Sequence, residues 1–165
     1  FTLPGGPPTY AILAETETWN GSAWTEVNDL NNQRYTNAAA IGGPSTATIT
    51  FGRANQTPDS IVESWDGTNW TEVGDLNEGR ESPGGAGTQT AAMAFGGTPN
   101  AALTEVWNGS SWTEVADLST GRSQMGNAGT TNTSALAFGG ASPSYTTAAE
   151  EVTAADFTIN PVTTS

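Results

Sequence analysis

The stretch Thr104–Arg122, TEVWNGSSWTEVADLSTGR, decides the reading of this chain because it occurs three times. Thr16–Arg34 reads TETWNGSAWTEVNDLNNQR, and Val62–Arg80 reads VESWDGTNWTEVGDLNEGR. The first Trp of each copy is Trp19, Trp65 or Trp107, and the second is Trp24, Trp70 or Trp112. Both series step by 46 and then 42 residues. Each copy closes on an arginine, Arg34, Arg80 or Arg122. Each carries a glutamate two residues before its first Trp, at Glu17, Glu63 and Glu105. Self-similarity at such a period marks a repeat architecture, in which one supersecondary unit stacks on the next.

Every copy predicts a hairpin. Branched and aromatic residues, such as Ile61–Trp65 and Trp70–Val73, flank Asn20-Gly21, Asp66-Gly67 or Asn108-Gly109. The flanks favour strands. The pairs suit a type I′ turn, which needs positive φ at both central residues. Ahead of each hairpin lies a second repeated block. It reads GAGTQTAAMAFGG at 85–97, NAGTTNTSALAFGG at 127–140 and, more loosely, NAAAIGGPSTATITFG at 37–52. Each block predicts a strand of small residues, a polar turn, and an apolar strand stopped by glycine.

Two hairpins per period make four short strands in about 42 to 50 residues, the size of one propeller blade. Small residues fit the crowded centre where blades converge, and the Trp pairs fill the wider gaps further out. The expected fold is therefore all-β, with nearly four blades of four antiparallel strands. They form one segment, 1–165, with blades at approximately 1–30, 35–73, 82–115 and 123–165. Phe1–Gly6, FTLPGG, aligns with ALAFGG at Ala135–Gly140. The chain is thus expected to open on a second strand, with material missing on its N-terminal side and a longer propeller or an oligomer as the natural unit. In the last hairpin Glu150 keeps the glutamate position. Val152 and Phe157 are expected in the Trp places, and the Asn-Gly pair is gone. Terminal repeats often depart from the pattern.

Composition narrows the function. Lys and Arg number 4 against 17 Asp and Glu, a net charge of −13. Phosphate binding needs clustered cations, so a nucleic-acid groove is excluded. No apolar run reaches membrane-spanning length, so no membrane insertion is expected. The chain has no His, Cys or Lys, which removes the usual catalytic bases and nucleophiles. No catalytic residue is expected. A pair of carboxylates could still hydrolyse a glycoside, but the acids recur with the repeat and so read as structure. No dense acidic loop offers Ca²⁺ its six to eight oxygens. No metal or cofactor is expected.

Two repeated sets carry a functional reading beside a structural one. The Trp pairs could stack on sugars, or could pack between blades; regular repetition favours packing. The arginines could bind an anion, or could pair with Glu17, Glu63 or Glu105, or with Asp29, Asp75 or Asp117. A planar guanidinium suits semi-buried carboxylates, which favours pairing. The connections Pro44-Ser45-Thr46, Arg53–Asp59, Thr98–Ala101 and Ala141–Thr147 differ while the strands repeat. Variable loops on a rigid scaffold are where recognition is expected.

The Gly-Gly stops at Gly96-Gly97 and Gly139-Gly140, the E-x-W strand, W-T-E-V and the closing Arg together resemble kelch-type repeats. The pattern is most similar to the W-N-G-x-x-W-T-E-V repeat proteins of marine bacteriophages. Gly52 is followed by Arg53 and departs from the diglycine. The resemblance covers essentially the whole chain. It implies a β-propeller, and no reaction, since kelch propellers mostly present binding surfaces. The expected function is that of a non-catalytic virion or surface appendage protein, of tail-fibre or decoration type, used for attachment or assembly. Its expected setting is the virion or the extracellular space. Its expected partners are other virion or surface proteins, further copies of itself, and a host-surface glycan. The alternatives are a secreted glycan-active enzyme or its propeller accessory domain, and an extracellular filament subunit.

Overall fold

A computed structural model of the chain describes residues 12–35, 38–39, 43–52, 59–99, 102–141, 144–153 and 158–161, the last from residue 152 onward by backbone alone. The strand expected at Phe1–Gly6 lies outside these residues, as does Phe157. The described residues contain strands and turns and no helix.

The strands fall into four antiparallel sheets. The first pairs β1 (Thr16–Trp19) with β2 (Trp24–Val27). The second holds β3 (Ala38–Ala39), β4 (Thr48–Phe51), β5 (Val62–Trp65) and β6 (Trp70–Glu72). The third holds β7 (Gly84–Thr88), β8 (Ala91–Phe95), β9 (Thr104–Trp107) and β10 (Trp112–Glu114). The fourth holds β11 (Gly126–Thr131), β12 (Ser134–Phe138), β13 (Ala149–Thr153) and β14 (Thr158–Pro161). Each four-stranded sheet is a meander in chain order. The arrangement is propeller-like.

The hairpin turns differ from the expected type I′. Trp19 faces Trp24, Trp65 faces Trp70 and Trp107 faces Trp112. Inside each pair the residue after the first Trp donates its N–H to a carbonyl three residues on: Asn20 to Ala23, Asp66 to Asn69, Asn108 to Ser111. The central residues are then Gly21-Ser22, Gly67-Thr68 and Gly109-Ser110. Only the glycine has positive φ, at 99°, 95° and 94°. Glycine at the first central position is the preference of a type II′ turn. The Asn or Asp serves as an acceptor instead. Asp66 Oδ1 takes the N–H groups of Thr68 and Asn69, and Asn20 and Asn108 do the same for their own loops. The pattern is an Asx turn.

The last hairpin also departs. Val152 faces Ile159, and Thr153 faces Thr158. Ile159, rather than Phe157, therefore occupies the cross-strand position of the second Trp.

The core lies between sheets. Ile49, Phe51, Val62 and Leu76 of the second repeat pack on Ala92, Ala94, Trp107 and Trp112 of the third. Ala86, Met93, Phe95 and Leu118 of the third pack on Met125, Ala135 and Ala137 of the fourth. Alternation along a strand sends successive side chains to opposite faces. So Ala92 and Ala94 meet the preceding sheet, while Met93 and Phe95 meet the following one. The leucine of each Asp-Leu pair, Leu76 or Leu118, reaches forward to the next sheet.

The small inner strands meet where the sheets converge. A Cβ on Gly85 would lie 2.5 Å from the Ala39 carbonyl oxygen and 2.9 Å from Phe51 Cζ. On the other side, Asn127 Nδ2 donates to the Gly85 carbonyl at 2.6 Å.

Candidate functional site

A buried charged seam joins the sheets. Arg34 Nη2 meets Glu63 Oε1 at 2.9 Å. Arg80 pairs with Glu105, and Arg122 with Glu150, through the same atoms. Each arginine bonds the glutamate of the following sheet, at separations of 29, 25 and 28 residues. Two of the expected glutamates, Glu63 and Glu105, are thus partners, each taken by the arginine of the preceding sheet. Glu17 is not the partner of Arg34, and Asp29, Asp75 and Asp117 are exposed. Asp117 Oδ1 instead takes the Thr104 N–H at 3.2 Å.

The stagger has a local cause. The backbone N–H of Arg34 donates to Leu13 O, and that of Arg80 to Asp59 O, which ties these two arginines to their own repeats. The side chain then crosses the interface. Its second nitrogen donates to two carbonyls of the next repeat: Gly52 and Ile61 for Arg34, Gly96 and Leu103 for Arg80, Gly139 and Ala148 for Arg122. The glutamate is filled from the same loop. Glu63 accepts the Asn31 N–H at 2.8 Å, the Asn31 carboxamide at 2.9 Å and the Asn32 N–H at 3.1 Å. Asn77 does likewise for Glu105, and the Ser119 N–H does so for Glu150.

Burial is tolerable because each charge is paired and hydrogen-bonded. Arg80 and Arg122 also donate through Nε, to Glu78 O and Thr120 O, whereas the buried Arg34 Nε has no partner. Burial alone would raise the Glu63 carboxyl. The Asn31 N–H, Arg34 and the Asn31 carboxamide outweigh it and hold the group below its usual range. Burial pulls the Arg80 guanidinium down against the attraction of Glu105, and arginine's ordinary value is high enough that it stays charged.

The Trp pairs divide by position. Trp65 is 2% exposed, Trp107 3% and Trp112 6%, whereas Trp19 is 49% and Trp24 63% exposed. Indole N–H groups reach back one sheet: Trp112 Nε1 to Gly74 O at 2.9 Å, Trp70 Nε1 to Thr16 Oγ1 at 3.0 Å. The first pair has the same internal geometry as the others, with ring centroids 5.5 Å apart. It lacks the cover. Packing between sheets thus accounts for the second and third pairs and leaves Trp19 and Trp24 on the surface.

The loops also divide. In a meander, the β3–β4 and β5–β6 turns share one end, and the β4–β5 connection lies at the other. Pro44-Ser45-Thr46 is the β3–β4 turn, at the end of the Asx turns. It does not share an end with Thr98–Ala101 and Ala141–Thr147, which lie in the β8–β9 and β12–β13 connections. At that second end Tyr145 is 89% exposed. Most of Arg53–Asp59 lies outside the described residues.

Sequence reasoning missed Glu150 as a partner, and Asn31, Asn77 and Ser119 as companions of Glu63, Glu105 and Glu150 in turn. Their signal was the polar position after each Asp-Leu pair. Among the described residues, no three His, Cys, Asp or Glu side chains gather to hold a metal. A hollow of about 370 Å³ on the outer face of the fourth sheet is lined by Ala128, Gly129, Ser134, Ala135, Leu136 and Glu151. It holds a single carboxylate.

No protein-family model matches this sequence, and no curated protein does. Among solved structures the chain is similar to that of YjhT, with a TM-score of 0.66 at 15% identity. The match covers 85% of this chain and 49% of that one. This chain therefore spans about half the length of that structure. The likeness is one of fold: antiparallel sheets packed face to face in a propeller-like array.

Proposed function

We propose that this chain is a kelch-like propeller of nearly four blades, serving as a non-catalytic attachment or assembly protein of a virion or surface appendage. One observation carries the reading. Every buried charged side chain among the described residues, Arg34, Glu63, Arg80, Glu105, Arg122 and Glu150, is spent on joining one sheet to the next. The chemistry goes into a rigid frame, and what varies is the loop end that carries Tyr145. Recognition by variable loops on such a frame fits attachment.

The test is mass spectrometry of particles purified from the source by density gradient. The chain is expected among capsid and tail proteins. Purified protein is expected to bind the host surface, and Tyr145→Ala to weaken that binding. A chain found only as a free secreted protein, or one that releases sugars from glycans, would overturn the reading in favour of a glycan-active enzyme.

A further inference from the structure

Three sheets receive an arginine from the sheet before them, and the first sheet has the matching glutamate. Glu63, Glu105 and Glu150 receive theirs. Glu17 has the same register, facing Glu26 as Glu63 faces Glu72 and Glu105 faces Glu114. Yet Glu17 is exposed. Beside it stand Trp19 and Trp24, whose counterparts Trp107 and Trp112 are buried against the preceding repeat. One flank thus presents, uncovered, the outer-hairpin part of the acceptor half of an interface that the molecule builds elsewhere.

The internal interfaces show what covers such a flank. The cover brings a leucine, as Leu76 comes to Trp107 and Trp112. It brings a guanidinium and backbone N–H groups for the carboxylate. It brings a carbonyl for the indole N–H, as Gly74 does for Trp112. A loop of the form x-Asp-Leu-x-x-x-Arg supplies all of these.

We propose that Glu17, Trp19 and Trp24 form a docking surface for a further repeat of this same type, carried outside these 165 residues, whose arginine bonds Glu17 as Arg34 bonds Glu63. A second copy of this chain fits less well. The arginines among the described residues, Arg34, Arg80 and Arg122, are all engaged within the chain. The opposite outer flank, on the fourth sheet, offers the exposed Glu151 where the third sheet has Val106. Two acidic flanks on a chain of net charge −13 repel.

The test adds the missing donor. A copy of residues 38–91 joined ahead of Phe1 continues the alignment of Phe1–Gly6 with Ala135–Gly140. It places the added copy of Arg80, the donor arginine of the fused repeat, 28 residues before Glu17, within the 25 to 29 of the three observed pairs. The fused chain is expected to melt higher, and to protect Trp19 and Trp24 from acrylamide quenching. In the fused chain E17Q is expected to lower Tm by about 10 °C, as for loss of one partner of a buried ion pair. In the original chain E17Q is expected to leave Tm unchanged. Replacing the added arginine by Met is expected to give the same loss, with little more in the double variant.

A fused chain that melts no higher than the original, or E17Q acting equally in both, overturns the proposal. So does light scattering that shows the original chain self-associating with Trp19 and Trp24 protected, which would make a second copy the occupant. Protection of the two Trp residues by an oligosaccharide, with none from the fused repeat, would make the flank a sugar platform instead. None of these outcomes depends on whether the protein belongs to a virion.

Discussion

Arg80 is bonded through its backbone to Asp59 of its own repeat and through its side chain to Glu105 of the next. One residue thus belongs to two sheets at once. Neither charge retains water, since both side chains are fully buried. A pair of this kind adds little net stability over an apolar substitute, but removing one partner strands the other.

The first prediction follows from that asymmetry. Glu105→Ala should cost about 3–5 kcal/mol by leaving Arg80 unpaired in the interior. Arg80→Met combined with Glu105→Leu should recover a large part of the loss. Urea denaturation of the single and double variants measures both. Strictly additive losses would mean that the two residues act independently.

The Trp pairs give a contrast within one molecule. Trp65→Ala should cost about 3–5 kcal/mol, as large-to-small changes in a core do. Trp19→Ala, at the matching position of the exposed pair, should stay below about 1 kcal/mol. Equal losses would contradict the exposure of the first pair.

Gly85 tests the crowding between inner strands. A methyl group there would press on the Ala39 carbonyl, which is backbone and has little room to yield. Gly85→Ala should destabilise by about 1–3 kcal/mol, in the range of overpacked cores. Thermal melting of Gly85→Ala beside Gly21→Ala separates crowding from backbone conformation. Gly21 has open space around it and a positive φ, so its loss reports conformation alone.

Acid should loosen the protein through Glu63 and Asp66. The Glu63 carboxyl lies below its ordinary 4.5 because its hydrogen bonds and Arg34 outweigh burial. Asp66 lies below its ordinary 3.8, held by the N–H groups of Asn69 and Thr68. A depressed carboxyl stabilises fully above its unfolded value and loses that contribution as pH falls through its folded value. Urea midpoints should therefore drop as pH falls below about 4.5. Asp66→Asn keeps an acceptor in the turn, as Asn20 and Asn108 do, and should flatten the drop without loss at pH 7. A drop unchanged by Asp66→Asn and by Glu63→Gln would place the acid sensitivity elsewhere.

How much of this was legible in the sequence varies with the range of the interaction. The three hairpins, the small inner strands and the all-β character were readable, because strand alternation and glycine-bearing turns are local. The turn type was misread by one residue. Asn-Gly is compatible with either placement of the turn, and the choice came from the Asn or Asp side chain accepting two backbone N–H groups in the folded loop.

The order of residues alone specifies the repeat, and with it which residue types occupy equivalent places in each sheet. Which of those equivalents meet is settled by how the sheets pack. Arg34 stands 17 residues from Glu17 and 29 from Glu63, and nothing in the local pattern selects the more distant carboxylate. The selection comes from stacking, which carries each arginine forward over the edge of its own sheet. Stacking likewise leaves Trp19 and Trp24 exposed while Trp65, Trp107 and Trp112 are buried and Trp70 is half-buried. A repeat's sequence specifies its faces, and its neighbours determine whether those faces are covered.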